Sequence, residues 1–95
     1  MGGMKALAEI QVVPLGVGVS VRKEVMRAHE IIRQSGLVLQ LHAYGTNVEG
    51  ELGTILGTIG KIHETLHAEG VVRIVTNVKI GTRTDKDVSL SGKLF

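Results

Sequence analysis

The stretch Ser35–Glu51 (SGLVLQLHAYGTNVEGE) constrains the fold more than any other part of this chain. It reads as a helix end, a strand, a tight turn and a second short strand. Gly36 suits the left-handed position just past a helix. Leu37, Leu39 and Leu41 alternate with Val38, Gln40 and His42, the period of a strand with one buried face. Gly45 is expected to supply a positive φ in the turn. Thr46 to Glu49 then returns, with Asn47 and Glu49 on one face and Thr46 and Val48 on the other. Gln40, His42, Thr46, Asn47 and Glu49 make a polar cluster near the middle of the domain, the first place to look for a binding site.

The segments on either side extend the pattern. Lys5 to Pro14 alternates, with Ala6, Ala8, Ile10 and Val12 on one face and Leu7, Glu9, Gln11 and Val13 on the other. The strand is expected to end at Pro14, which has no N–H for a ladder. Leu15 to Val19 is a loop with two glycines. Ser20 is a suitable N-cap for a first helix from Val21 to about Ser35. Val21, Val25, Ala28 and Ile32 share its narrow apolar face, with Ile31 at the edge. Glu51 to about Glu69 reads as a second helix with a stripe of Leu52, Ile55, Leu56, Ile59, Ile62 and Leu66. Gly53, Gly57 and Gly60 lie beside that stripe, each disfavouring the helix by about 1 kcal/mol relative to Ala. Three on one side predict a close approach by another backbone, within the chain or from a second subunit. Gly70 ends the helix, and Val71 to about Arg83 is a long strand. Thr84 to Ser91 is polar and turn-like, and Gly92 to Phe95 is a short tail able to dock on a partner.

The order β-α-β-β-α-β predicts an α+β ferredoxin-like fold: a four-stranded antiparallel sheet with two helices on one face. Ninety-five residues make one domain, residues 1–95. One sheet face is then free of helices. It carries Gln11, Gln40, His42, Arg73, Asn77 and Lys79 among Val13, Val38 and Val75. A face that apolar predicts an oligomer that covers it or pairs strand edges.

Composition excludes several functions. The chain has no Cys, so a disulfide framework or thiolate metal site is impossible. No apolar run is long enough to span a membrane, and the first residues do not read as a signal peptide. A cytoplasmic protein is expected. Net charge is +2, too small an excess to argue for nucleic acid. The sheet also lacks the stacking aromatics of an RNA-binding sheet of this topology.

His63-Glu64-Thr65-Leu66-His67 spells the H-E-x-x-H of zinc proteases. On a helical wheel His63 falls inside the apolar stripe and His67 at its edge, and no third ligand follows. Both are read as structural, so neither a metal nor a catalytic set is expected. Pro14–Ser20 holds two glycines before a helix, but matches neither a Walker loop nor a dinucleotide fingerprint. It is read as a strand–helix turn that can also line a small-ligand pocket. Thr46, Asn47 and Glu49 place a hydroxyl, an amide and a carboxylate within one short strand. They suit a ligand with a cationic or amino group, or equally a polar edge that discourages aggregation.

Taken together, Gln11–Gly16 (QVVPLG), Ser35–Leu37 (SGL), Gly45–Glu51 (GTNVEGE) and Val78–Ile80 (VKI) resemble the thiamine-binding protein family over nearly the whole chain. The resemblance implies a ferredoxin-like fold, homo-oligomers (commonly tetramers) and binding of thiamine or its hydroxymethylpyrimidine part. By motif it implies Thr46 and Glu49 as ligand contacts, with Gly16 and Ser20 shaping the pocket. His42 and Asn47 join them from the polar cluster. Tyr44 stands where the family pattern leads one to expect a smaller or aliphatic residue, so its ring either stacks on a ligand or narrows the site. The resulting expectation is a non-enzymatic, cofactor-free small-molecule binder that assembles as a dimer or tetramer. The alternative is a structural or regulatory oligomer that senses another metabolite.

Overall fold

A computed structural model describes residues 3–18 and 21–91. The elements follow the order β1 (Lys5–Leu15), α1 (Arg22–Gln34), β2 (Val38–His42), β3 (Gly45–Glu51), α2 (Leu52–Ala68) and β4 (Arg73–Thr82). They form one antiparallel sheet in the order β2-β3-β1-β4. This is the ferredoxin-like α+β arrangement that the alternating periods predict.

Both helices pack on the face that carries Ala6, Ala8, Ile10 and Val48. Ile10, Ile32, Val48, Ile55, Ile62 and Leu66 are the largest side chains fully enclosed there. Each contributes roughly 1.5–3 kcal/mol by leaving water. Short Ala6 and Ala8 let the helices lie close to the central strand, so branched side chains from the helices fill the layer. Gly36 and Gly70 both take positive φ just past a helix, as their positions require. The expected N-cap Ser20 and the tail Gly92–Phe95 lie outside the described residues. Val21 occupies the cap position of α1 without a side-chain capping bond.

Three readings of β1 and its neighbours are corrected. Strand β1 does not stop at Pro14; it runs to Leu15, with Pro14 opposite Ile74 of β4. The reason is directional. Along an antiparallel strand, residues alternately aim their N–H and C=O to one side and then the other. The Leu52 N–H donates to the Met4 carbonyl (2.7 Å), so even-numbered β1 residues aim at β3. Pairing with β3 ends at Ile10–Thr46, whereas pairing with β4 continues to Leu15–Arg73. Pro14 therefore lacks an N–H only on the side where β1 is an edge, which is where sheets accept proline.

Gly45 does not have the expected positive φ. It is needed because of crowding: a Cβ there would stand 2.6 Å from the Ile10 carbonyl oxygen. Strand β3 also continues to Glu51, past the expected end at Glu49, because Gly50 and Glu51 pair with Ala6 and Lys5. On α2, nothing approaches within 4 Å of where Gly57 or Gly60 would carry a Cβ. Close approach by another described residue is thus not the reason for those glycines.

The open face is partly covered. Leu7 belongs to it, yet only 7% of its surface is exposed. The segment after β4 lies over this end of the sheet. Its Leu90 N–H donates to Glu49 Oε1 (2.8 Å), Glu49 pairs with Leu7, and Val88 is buried. Elsewhere the face is polar and cross-linked, with Asn77 donating to Gln11 (3.0 Å) and Asn47 to Gln40 (3.4 Å). Val38 and Val75 remain exposed on it.

The corrections at Gly45 and Pro14 each carry an expectation for a small substitution. Gly45→Ala should lower the unfolding free energy in urea by about 1–3 kcal/mol, the usual effect of overpacking. Pro14→Ala should lower it by about 1–2 kcal/mol through lost packing of its buried ring alone, because the restored N–H points away from β4 and breaks no ladder bond. A neutral Gly45→Ala would show that the turn relaxes away from Ile10.

Candidate functional site

The β2–β3 turn peels away from β1 just where pairing stops. Tyr44 and Ala43 span the turn between His42 and Gly45, and α1 passes over it. The gap is a pocket of about 260 Å³. Its floor is Ile10, Val12 and Thr46; Val25, Ala28 and Ile32 form the helix wall; Leu41, His42 and Tyr44 make the rim. Its lining holds no Asp or Glu. A concave, mainly apolar cavity with few polar groups is the usual form of a small-molecule site.

Three of the residues singled out in the sequence meet here. Thr46 is 4% exposed, and no other group among the described residues bonds its hydroxyl. Tyr44 is 78% exposed, with its ring free at the mouth. His42 is oriented by the turn itself: the Tyr44 N–H donates to its Nδ1 (3.3 Å). Because Nδ1 accepts, Nε2 carries the proton. Nε2 lies 3.4 Å from the Glu9 carboxylate, off the line of a good hydrogen bond. The pair is half exposed and contributes little to stability.

The others are elsewhere. Asn47 and Glu49 point to the opposite face of the sheet, a consequence of the strand period. Asn47 is bonded to Gln40. Glu49 accepts from the Leu90 N–H and lies 3.7 Å from the Lys5 ammonium, so its carboxylate is already satisfied inside the chain. Gly16 has φ 78° in the loop after β1 and does not line the pocket. Ser20 lies outside the described residues. His29, Val25 and Val12 line the pocket but were not singled out in the sequence. His29 follows Ala28 at the edge of the α1 stripe, and its Nδ1 is enclosed without a hydrogen-bond partner. A histidine bordering a helical stripe was the available signal.

A larger hollow of about 550 Å³ runs along α1 beside the end of α2. Its walls carry charges of both signs, and Arg27 there is committed to Glu69 (2.9 Å) and Glu30 (3.2 Å). We read it as a solvated helix surface, since it gathers none of the residues that the sequence singled out.

The H-E-x-x-H pair has a structural explanation. His63 Nε2 is 2.7 Å from the Thr76 hydroxyl on β4. His67 Nδ1 is 2.7 Å from the Val71 carbonyl, which can only accept, so that nitrogen is protonated and unavailable to a metal. The two rings thus tie α2 to the start of β4. Among the described residues no group of three or more His, Cys, Asp or Glu is placed to hold a metal ion. No described helix is long and apolar enough to cross a membrane. EDTA should leave the thermal midpoint unchanged, whereas His63→Ala should lower stability by about 0.5–1.5 kcal/mol by losing the bond to the part-buried Thr76 hydroxyl. A midpoint that falls on chelation would restore the metal reading.

Comparison with known proteins follows the same outline. A family model described as thiamine-binding protein matches residues 8–95. The UPF0045 protein sll0230 of Synechocystis sp. is 38% identical over 91 residues, covering 96% of this chain and 75% of that protein. The crystal structure of the Methanocaldococcus jannaschii protein MJ1052 superposes with a TM-score of 0.89 at 37% identity, over 96% of this chain and 93% of that one. A Bacillus cereus domain of unknown function superposes with a TM-score of 0.86 at 26% identity, over 96% and 88% of the two chains.

Proposed function

Because the chain belongs to the thiamine-binding protein family, we propose that it is a non-enzymatic small-molecule-binding protein whose ligand is thiamine or its hydroxymethylpyrimidine part. The site is the pocket under the β2–β3 turn. One observation carries this: Thr46 and Tyr44 line one mainly apolar cavity built by β1, α1, β2 and β3, with His42 at its rim and its Nε2 beside Glu9. Thr46 supplies a nearly buried hydroxyl able to donate and accept. Tyr44 supplies an aromatic ring at the entrance. The apolar walls favour a flat ring over water. Glu49 and Asn47 have no part in this site, since they lie behind the sheet with partners of their own.

The protein also self-associates in this reading, as a dimer or tetramer. Support comes from exposed Val38 and Val75 on the open face and from the unpaired outer edge of β4, with Val78 and Ile80 half exposed. The bare glycine face of α2 is a second surface free for close packing.

Calorimetric titration with thiamine and with hydroxymethylpyrimidine tests the proposal. Saturable binding of at least one is expected. Thr46→Val should weaken it about 2–12-fold, the effect of losing one hydrogen bond worth about 0.5–1.5 kcal/mol. Glu49→Gln should leave it unchanged. Absence of binding by a well-folded sample would sink the proposal in favour of a structural or other metabolite-sensing role. Light scattering on the same sample should give a multiple of the 10.1 kDa chain; a monomer would remove the self-association part.

A further inference from the structure

We propose that the pocket recognises the aminopyrimidine edge of its ligand through the main chain of Val12, whose N–H and C=O have no strand partner among the described residues where β1 runs beyond β3. This rests on the ligand class proposed above and assigns its recognition to a residue that no side-chain pattern marks.

The geometry follows from the register. Even-numbered residues of β1 aim their main-chain groups at β3, as the Met4–Leu52 bond and the Ile10 carbonyl beside Gly45 both show. The last such residue paired to β3 is Ile10, opposite Thr46. Val12 is the next, and no described strand lies on that side of it. Pro14, the one after, has no N–H at all. Val12 is thus the one residue of this free edge that offers both a donor and an acceptor, and it lines the pocket. An extended residue presents N–H and C=O side by side along one edge, as it does to a neighbouring strand. A ring nitrogen flanked by an amino group offers the complementary acceptor and donor. The ligand then completes the ladder that the β2–β3 turn leaves unfinished.

The pocket's other properties select the neutral pyrimidine over the cationic thiazolium ring. No carboxylate lines it, and burying an unpaired charge is strongly unfavourable. Its volume of about 260 Å³ falls just under the roughly 300 Å³ at which drug-sized sites begin. One substituted ring fills it, and any further ring stays at the mouth beside Tyr44.

The test uses the full chain labelled with ¹⁵N and hydroxymethylpyrimidine as the probe. Saturable amide shifts centred on Val12 and Thr46, with Lys79 and Glu49 on the far face unmoved, are expected. Binding that instead shifts the far face overturns this inference while leaving the binder reading intact; no binding of either probe overturns both. Val12→Pro deletes an N–H that no ladder uses and also replaces the Val side chain, and should weaken binding about tenfold or more by stranding the ring nitrogen. Val12→Ala keeps the N–H and should lose clearly less affinity than Val12→Pro. Equal loss in both variants would assign the effect to the Val12 side chain and overturn the proposal, as would full affinity in Val12→Pro. Should Val12→Pro not fold, the native protein decides. An analogue with hydrogen in place of the amino group should bind about tenfold more weakly, and equal binding would be decisive against a main-chain contact.

Discussion

Everything distinctive in this structure depends on the unequal pairing of β1. The strand has two neighbours, and they end at different places: β3 at Ile10 and β4 at Leu15. Where both pair it, β1 is a central strand, and its inward side chains Ala6, Ala8 and Ile10 form the floor of the core. Where only β4 remains, it becomes an edge. That change of environment within one strand accommodates Pro14, leaves Val12 without a described partner in β3 and opens the pocket under the turn. The turn in turn depends on Gly45, since any side chain there would push β3 off the Ile10 carbonyl.

The large features were legible because they are periodic. Alternation located all four strands, and the 3.6-residue repeat located both helices. Positive φ at Gly36 and Gly70 follows from their positions after helices. What was misread depends on direction and distance. Whether a proline removes a used or an unused N–H depends on which side the residue faces, and that is set by the register with β3 and β4. Gly45 suits a turn by composition, but the contact that requires glycine comes from a residue far back in the chain. Short-range chemistry alone cannot separate those two reasons.

The pocket was legible only in part, for related reasons. The hairpin pointed to Thr46, His42 and Tyr44, and these do meet. The same strand period separates Thr46 from Asn47 and Glu49, so a cluster compact in sequence is divided by the sheet. Glu49 looked available because its partners are remote: the Leu90 N–H lies 41 positions along the chain. Val12 carries no chemical mark in the sequence, because main-chain groups are the same in every residue except proline.

The placement of charge then bears on what such a pocket can select. A carboxylate in its lining would have favoured a cationic ring, and the chain does carry one only a few residues away, at Glu49. The pleat sends that carboxylate to the far face, where it holds the segment after β4 against the sheet. The near face keeps neutral donors and acceptors within an apolar shell. Polar groups in such a shell discriminate sharply, because a ligand that fails to pair them leaves them buried and unsatisfied. For the ligand proposed above, selectivity at this site would be a matter of hydrogen-bond pattern, while the nearby Glu49 carboxylate serves the fold.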